Sequence, residues 1–170
     1  MKLIKLILLT TFLFFSNLHA ETPYFIDFKY VLNESTAGKK AQKDLKAELE
    51  TGLKGLKDKE KKIQEEEKKI IQQKKLINEE EYRKKVDELR TQVSKLQSER
   101  SKLLSSVAKK RQKAKSELLK NVNPIIETYM KEKNIKMVID KRSLLVANKE
   151  LDITKDITNL LNGKLKSINY

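Results

Sequence analysis

The sequence predicts an α+β protein in which a long antiparallel helical hairpin stands on a small β-rich body. Apolar residues recur every seven positions through the middle of the chain, which is typical of a helix packed along a coiled-coil seam. Short alternating segments near both ends favour strands instead. Charged residues make up 36% of the chain and aromatic residues only 6%, so a large compact core is excluded.

The N-terminal segment has the layout of a secretory signal peptide. Lys2 and Lys5 flank the start of an apolar run that extends to Phe15, and Ala20 ends a plausible cleavage site before Glu21. A membrane anchor is the alternative, but spanning a bilayer takes about 20 apolar residues and this run is shorter. We therefore expect residues 1–20 to be removed and the mature protein to be secreted. Secretion of a chain without cysteine fits a protein of the bacterial envelope.

A first strand is predicted for residues 23–28, which are rich in aromatic residues. The seven-residue ladder then begins near Leu45, and its members predict a first long helix. They are Leu49, Leu56, Ile63, Ile70 and Ile77. Gly52 and Gly55 interrupt this helix, and they either let the arm bend or allow close packing against its partner; the sequence leaves both alternatives open.

A second long helix is predicted to start at Asn78, because Glu81 three residues later completes a capping-box-like arrangement. So short a connection makes the two helices antiparallel neighbours, with Ile70 near Leu89 and Leu56 near Leu103. The second helix is expected to continue past Pro124 with a kink and to end at Asn134.

The C-terminal part predicts two further strands and a last helix. Residues 136–140 and 144–147 are apolar segments around a polar turn. Thr154 is expected to cap the final helix, whose buried stripe is Ile157, Leu160, Leu161 and Leu165. The expected organisation is therefore a body of residues 21–38 and 121–170, and an arm of residues 39–120 with its tip near 77–81.

Charge is concentrated on the arm. The whole chain has a formal net charge of +14, and residues 39–120 contain 26 basic and 15 acidic residues, a net charge of +11. Three interpretations remain open: attraction of acidic or anionic envelope partners, binding of nucleic acid or lipopolysaccharide, and a structural coiled-coil spacer kept soluble by lysine. The arm has one aromatic residue, Tyr82, for stacking on bases, so no nucleic acid is expected.

Catalysis and cofactor binding are not expected. The chain has no cysteine, and its one histidine, His19, lies in the predicted leader, so the mature chain lacks the commonest general base and the thiol nucleophile. Soft metal ligands are missing for the same reason. The glycines are isolated, so no glycine-rich loop can hold a phosphate. We expect no catalytic residue, metal or cofactor.

The two ends of the mature chain resemble the Skp (OmpH-like) family of periplasmic chaperones. The specific marks are the strand 23–28 leading through Tyr30-Val31-Leu32 into a helix, and the segment 134–140 followed by 152–157. The tip sequence 76–81 is also similar to members of the family. The intervening coiled coil adds little specificity.

This resemblance implies a homotrimer in which three short strands per chain complete one oligomeric β-barrel. Helical arms would then surround a cavity that holds unfolded outer-membrane proteins without ATP. Contact with an anionic membrane or lipopolysaccharide is a further implication, which we do not map onto particular lysines.

Two sets of residues are candidates for these roles. For the oligomerisation body they are Phe25, Ile26, Phe28, Met137, Val138, Ile139, Leu145 and Val146. For client contact on the second arm they are Val86, Leu89, Val93, Leu96, Leu103 and Val107.

Overall fold

The computed structural model describes residues 22–170, and the predicted leader and cleavage site at Ala20 and Glu21 lie outside them. In chain order the elements are β1 (Tyr24–Ile26), α1 (Phe28–Glu34), α2 (Thr36–Gln73), α3 (Glu79–Glu132), β2 (Val138–Asp140) and α4 (Thr154–Lys164), with short 3₁₀ turns at Lys141–Ser143 and Lys149–Leu151. The expected combination of long helices and a small sheet is confirmed.

Side-chain caps set the helix boundaries at the N-terminal end and at the tip. The carboxylate of Asp27 accepts from Tyr30 N–H at 2.8 Å and starts α1. Buried Ser35 ends α1, and its hydroxyl accepts from Gly38 N–H at 3.2 Å to start α2. The side chain of Asn78 accepts from Glu81 N–H at 2.8 Å, which confirms the predicted start of α3.

Helices α2 and α3 form the hairpin arm, and at 1.5 Å per residue they are about 57 and 81 Å long. Helix α2 is continuous across Gly52 and Gly55. A Cβ added to Gly52 would lie 2.6 Å from a methyl carbon of Leu103, whereas one added to Gly55 would meet nothing within 4 Å. Close packing therefore accounts for Gly52 but not for Gly55.

Helix α3 continues through Pro124, as expected, and ends where Asn134 adopts a left-handed conformation with φ of 54°. Ile135 N–H donates to Met130 O at 2.8 Å across this turn, which is the pattern of a Schellman cap. The predicted role of Asn134 in terminating the helix is confirmed.

The sheet has two strands among the described residues. Strand β1 pairs in parallel with β2, with Phe25 opposite Ile139. On its other side, Phe25 O accepts from Ile153 N–H at 3.0 Å. The prediction of three strands is wrong for the single chain, because residues 144–147 form no ladder with another strand. Leu144 N–H donates to Lys141 O within a turn, and Leu145 lies in a bend. Leu144 is nevertheless extended, with φ and ψ of −110° and 139°.

The core lies in the body and brings the two ends of the sequence together. Its buried members come from β1, α1, the end of α3, α4 and the residues that adjoin these helices: Ile26, Val31, Val122, Ile125, Ile126, Ile135, Ile153, Ile157 and Leu161.

Two expectations for α4 are wrong. Leu160 is 42% exposed, because only one face of α4 packs against the rest of the body and that face carries Ile157 and Leu161. Thr154 does not cap the helix. Its hydroxyl accepts instead from Asp27 N–H at 2.8 Å, which ties α4 to the loop after β1.

Candidate functional site

The two helices of the arm, α2 and α3, are held in register by polar contacts between their side chains. Lys59 Nζ lies 2.6 Å from Glu99 Oε2, and Gln92 donates to Glu66 at 2.9 Å. Nearer the body, Lys110 Nζ lies 2.8 Å from Glu48. From pair to pair, the residue number rises on α2 as it falls on α3, so the predicted antiparallel pairing is confirmed.

The tip is closed by a turn between the helices. Helix α2 ends at Gln73, so Ile77 lies in the turn rather than in the helix that the ladder predicted. The Lys74 ammonium lies 5.6 Å from the centre of the Tyr82 ring, within the range of a cation–π contact. Leu76, at the end of the arm, is exposed.

The apolar seam between α2 and α3 is narrow. Leu56 and Ile70 of α2 are buried, as are Leu96 and Val107 of α3. Of the other candidates on α3, Val86, Leu89 and Leu103 are half-buried, whereas Val93 is 42% exposed. The six candidate client-contacting residues are thus divided between the interior of the hairpin and its surface.

Sequence reasoning missed four exposed apolar residues on the arm: Leu53, Ile71, Leu76 and Leu104. Two of them directly follow a residue of the seam between α2 and α3, since Ile71 follows Ile70 and Leu104 follows Leu103. Adjacent residues of a helix point about 100° apart, so a narrow seam buries only one of each pair. An apolar residue directly after a seam residue was the sequence signal that could have identified Ile71 and Leu104 as exposed.

Acidic residues on the arm are largely engaged by lysine and arginine. The hydrogen bond from Lys59 lowers the pKa of Glu99. At the base of the arm, the hydrogen bond to Glu34 raises the pKa of Lys39, and that to Asp44 raises the pKa of Lys40. Because basic residues outnumber acidic ones on the arm, the surface that remains is cationic.

The body presents its own exposed apolar segment. Met137 is 58% exposed, and Leu145 and Val146 are 104% and 91% exposed. Phe28, Val138 and Ile139 are half-buried, whereas Phe25 and Ile26 are buried within the chain itself. Of the eight residues predicted for the oligomerisation body, the three most exposed are therefore the ones available to another chain.

No site for metal chemistry emerges from the described part of the chain, where no three potential metal ligands of the His, Cys, Asp or Glu type cluster together. None of the helices within residues 22–170 combines the length and the apolar content that crossing a bilayer requires.

The fold is that of a known structure. The crystal structure of a candidate outer membrane chaperone (OmpH-like) from Caulobacter crescentus CB15 matches with a TM-score of 0.81, over 92% of this chain and 95% of that chain. The two sequences are 19% identical, so the likeness concerns the fold. No curated protein sequence matches this chain.

The sequence also matches a family model. The family is described as outer membrane protein (OmpH-like), and the match extends over residues 24–161, which include most of both body segments and the whole arm. The resemblance carried by the two ends of the sequence is thereby confirmed. The chain belongs to the outer membrane protein (OmpH-like) family.

Proposed function

We propose that the protein is an ATP-independent holding chaperone of the periplasm that binds unfolded outer-membrane proteins between its helical arms and prevents their aggregation. The observation that carries this proposal is the surface of the arm, which is both cationic and partly apolar. A narrow seam leaves apolar side chains such as Val93, Leu104 and Ile71 exposed on a long cationic surface. Membership of the OmpH-like family supports a chaperone.

The proposed mechanism depends on many weak contacts. An unfolded barrel protein exposes strands with alternating apolar residues, which aggregate in water. Scattered apolar side chains can cover such strands without fixing one conformation, and lysine between them attracts acidic clients. Because each contact is weak, a folding client can leave without nucleotide hydrolysis, and no enzymatic step is involved.

Client contact is proposed for Val86, Leu89, Val93, Leu96, Leu103 and Val107. Val93 is exposed and can contact a client directly. Leu96 and Val107 are buried, and they become accessible to a client only when α2 and α3 separate. Photo-crosslinkers at positions 93 and 96 distinguish these cases, since a client held by the closed arm crosslinks from 93 alone. The absence of crosslinks from both positions contradicts the assignment.

Assembly into a homotrimer completes the proposal. The exposed Met137, Leu145 and Val146 would be covered by the strands of neighbouring chains, so that the body of residues 21–38 and 121–170 closes into a barrel. Removal of residues 1–20 after Ala20 would release the mature chain into the periplasm. Contact of the cationic arms with anionic membrane or lipopolysaccharide is part of the same proposal.

Light scattering tests the function. An outer-membrane protein is diluted from urea with and without the purified mature chain, at low and high salt, and native mass is measured on the same sample. We expect suppression of scattering by a trimer, with capture slowed at high salt because the charges of the arm are screened. A structural spacer would leave scattering unchanged. An envelope binder of lipopolysaccharide or nucleic acid would lose the client completely when anionic polymer is added.

A further inference from the structure

A groove of about 670 Å³ lies at the base of the arm, where α1, α2 and α3 meet. Gly38 and Ala41 of α2 face Ala114 of α3 across it, and all three are buried. Leu45 and Leu118 extend the apolar lining. Small residues on facing helices leave space that no side chain of the described chain fills.

The segments next to the groove do not fill it. Gly38 packs tightly against α1, since an added Cβ would lie 1.9 Å from Leu32 O. The C-terminal tail comes close without entering: the Tyr170 hydroxyl donates to Ala41 O at 3.4 Å, but no tail residue lines the groove.

The rim of the groove is cationic. Lys43 and Lys46 line it from α2, and Arg111 and Lys115 line it from α3, whereas no aspartate or glutamate is among the lining residues. Lys46 lies 3.7 Å from Glu50, and the other three make no ion pair within residues 22–170. An apolar floor below a cationic rim is complementary to an amphiphile with one anionic group.

The volume selects a small ligand. Sites for small molecules commonly enclose roughly 300–1,000 Å³. If each heavy atom occupies about as much space as a water molecule in the liquid, about 30 Å³, the groove has room for roughly 20 heavy atoms. A single long acyl chain with its carboxylate has this size, and a lipid with several chains does not fit.

We propose that this groove binds one long-chain fatty acid, with its acyl chain between Ala41 and Ala114 and its carboxylate at the rim formed by Lys43, Arg111 and Lys115. None of its lining residues belongs to the proposed client-contacting set, so the site does not depend on the proposed chaperone function.

The binding test uses displacement of fluorescent cis-parinaric acid from the purified protein by palmitate. Hexadecanol has the same chain length and no charge, so it isolates the contribution of the rim. We expect one palmitate per chain, with displacement at a concentration about tenfold lower than for hexadecanol. Equal displacement by the two compounds, or none by palmitate, overturns the proposal.

Variants locate the site. Ala114→Leu fills the groove and is expected to weaken palmitate binding by about tenfold or more, whereas Ala108→Leu, at an exposed position of the same helix, leaves binding unchanged. Circular dichroism verifies folding, and Ala41→Leu replaces Ala114→Leu if the latter does not fold. Full binding by a folded groove-filling variant rejects the site. Stronger displacement by an acidic amphipathic peptide rejects the fatty acid as ligand.

Discussion

Gly38 and Gly55 lie in the same helix, but their surroundings give them opposite roles. Gly38 is buried against the backbone of α1, and the hydroxyl of Ser35 binds its N–H. Gly55 lies on an open face of the arm. Only the first glycine is required by packing, because a glycine inside a helix otherwise costs conformational entropy.

The Gly38→Ala variant is expected to lower the free energy of unfolding by about 1–3 kcal/mol, because its methyl group would overlap Leu32 O. The matched Gly55→Ala variant is expected to raise it by roughly 0.5–1 kcal/mol, since alanine is the better helix former and has space. Urea denaturation measures both. Equal changes in the two variants would contradict the packing argument.

Tyr129 joins α3 to α4. Its hydroxyl donates to Asp156 Oδ2 at 2.6 Å, and this hydrogen bond, together with burial and the negative charge of Asp156, raises the pKa of Tyr129 to about 12. The ordinary value for tyrosine is about 10. Because the folded state holds this proton more tightly, the stabilisation is complete below about pH 10 and is lost as the pH rises through about 12.

The ultraviolet difference titration of wild type minus Tyr129→Phe isolates this tyrosine, and we expect its midpoint near pH 12. In Asp156→Asn the midpoint should move toward the ordinary value, because the amide retains an acceptor but not the charge. An unchanged midpoint in Asp156→Asn would mean that the charge of Asp156 does not contribute to the shift.

At the scale of elements, the arm is a pair of helices with one narrow apolar stripe. The ladder positions of α2 are all at least half-buried, and Val93 is the one α3 seam residue that is exposed. A stripe this narrow gives the hairpin little stability apart from its few buried residues, so each of them should contribute strongly.

Leu96→Ala removes one of these buried contacts, and we expect the free energy of unfolding to fall by about 2–3 kcal/mol. Val93→Ala, one turn away but exposed, should change it by less than about 0.5 kcal/mol. Amide hydrogen exchange should accelerate in both α2 and α3 of the Leu96→Ala variant. Exchange that accelerates equally in the two variants would show that the seam does not hold the arms together.

At the scale of the whole molecule, the segment 144–147 is the clearest sign that the chain is built to associate. Leu145 and Val146 are among its most exposed apolar side chains, in a segment that forms no strand within the described chain. Exposed apolar side chains in an unpaired segment favour contact with another chain.

The double variant Leu145→Ser with Val146→Ser is expected to fold as a single chain, since neither side chain is part of the core, and to lose the native mass of the assembly. A matched variant with Ile71→Ser and Leu76→Ser, exposed at the far end of the arm, should assemble as the wild type does. Native mass spectrometry and circular dichroism are the measurements. An intact assembly in the first variant would exclude residues 145–146 from the interface.

Features of the fold that depend on near neighbours along the chain could be predicted from the sequence. The start of α3 at Asn78, its end at Asn134 and the antiparallel register of the arms follow from caps, periodicity and a short turn. The family also followed from the sequence, since its marks lie in continuous segments at the two ends.

Features that depend on partners far away in the sequence became known only from the folded chain. Thr154 suits a helix cap by composition but bonds to Asp27, which is 127 residues away. Residues 144–147 have the composition of a strand but form no ladder within the described chain. Ile71 and Leu104 are as apolar as Ile70 and Leu103, yet the direction of the partner helix leaves them exposed. Helix hydrogen bonds close within four residues, whereas strand pairing and burial require segments that only the folded chain brings together.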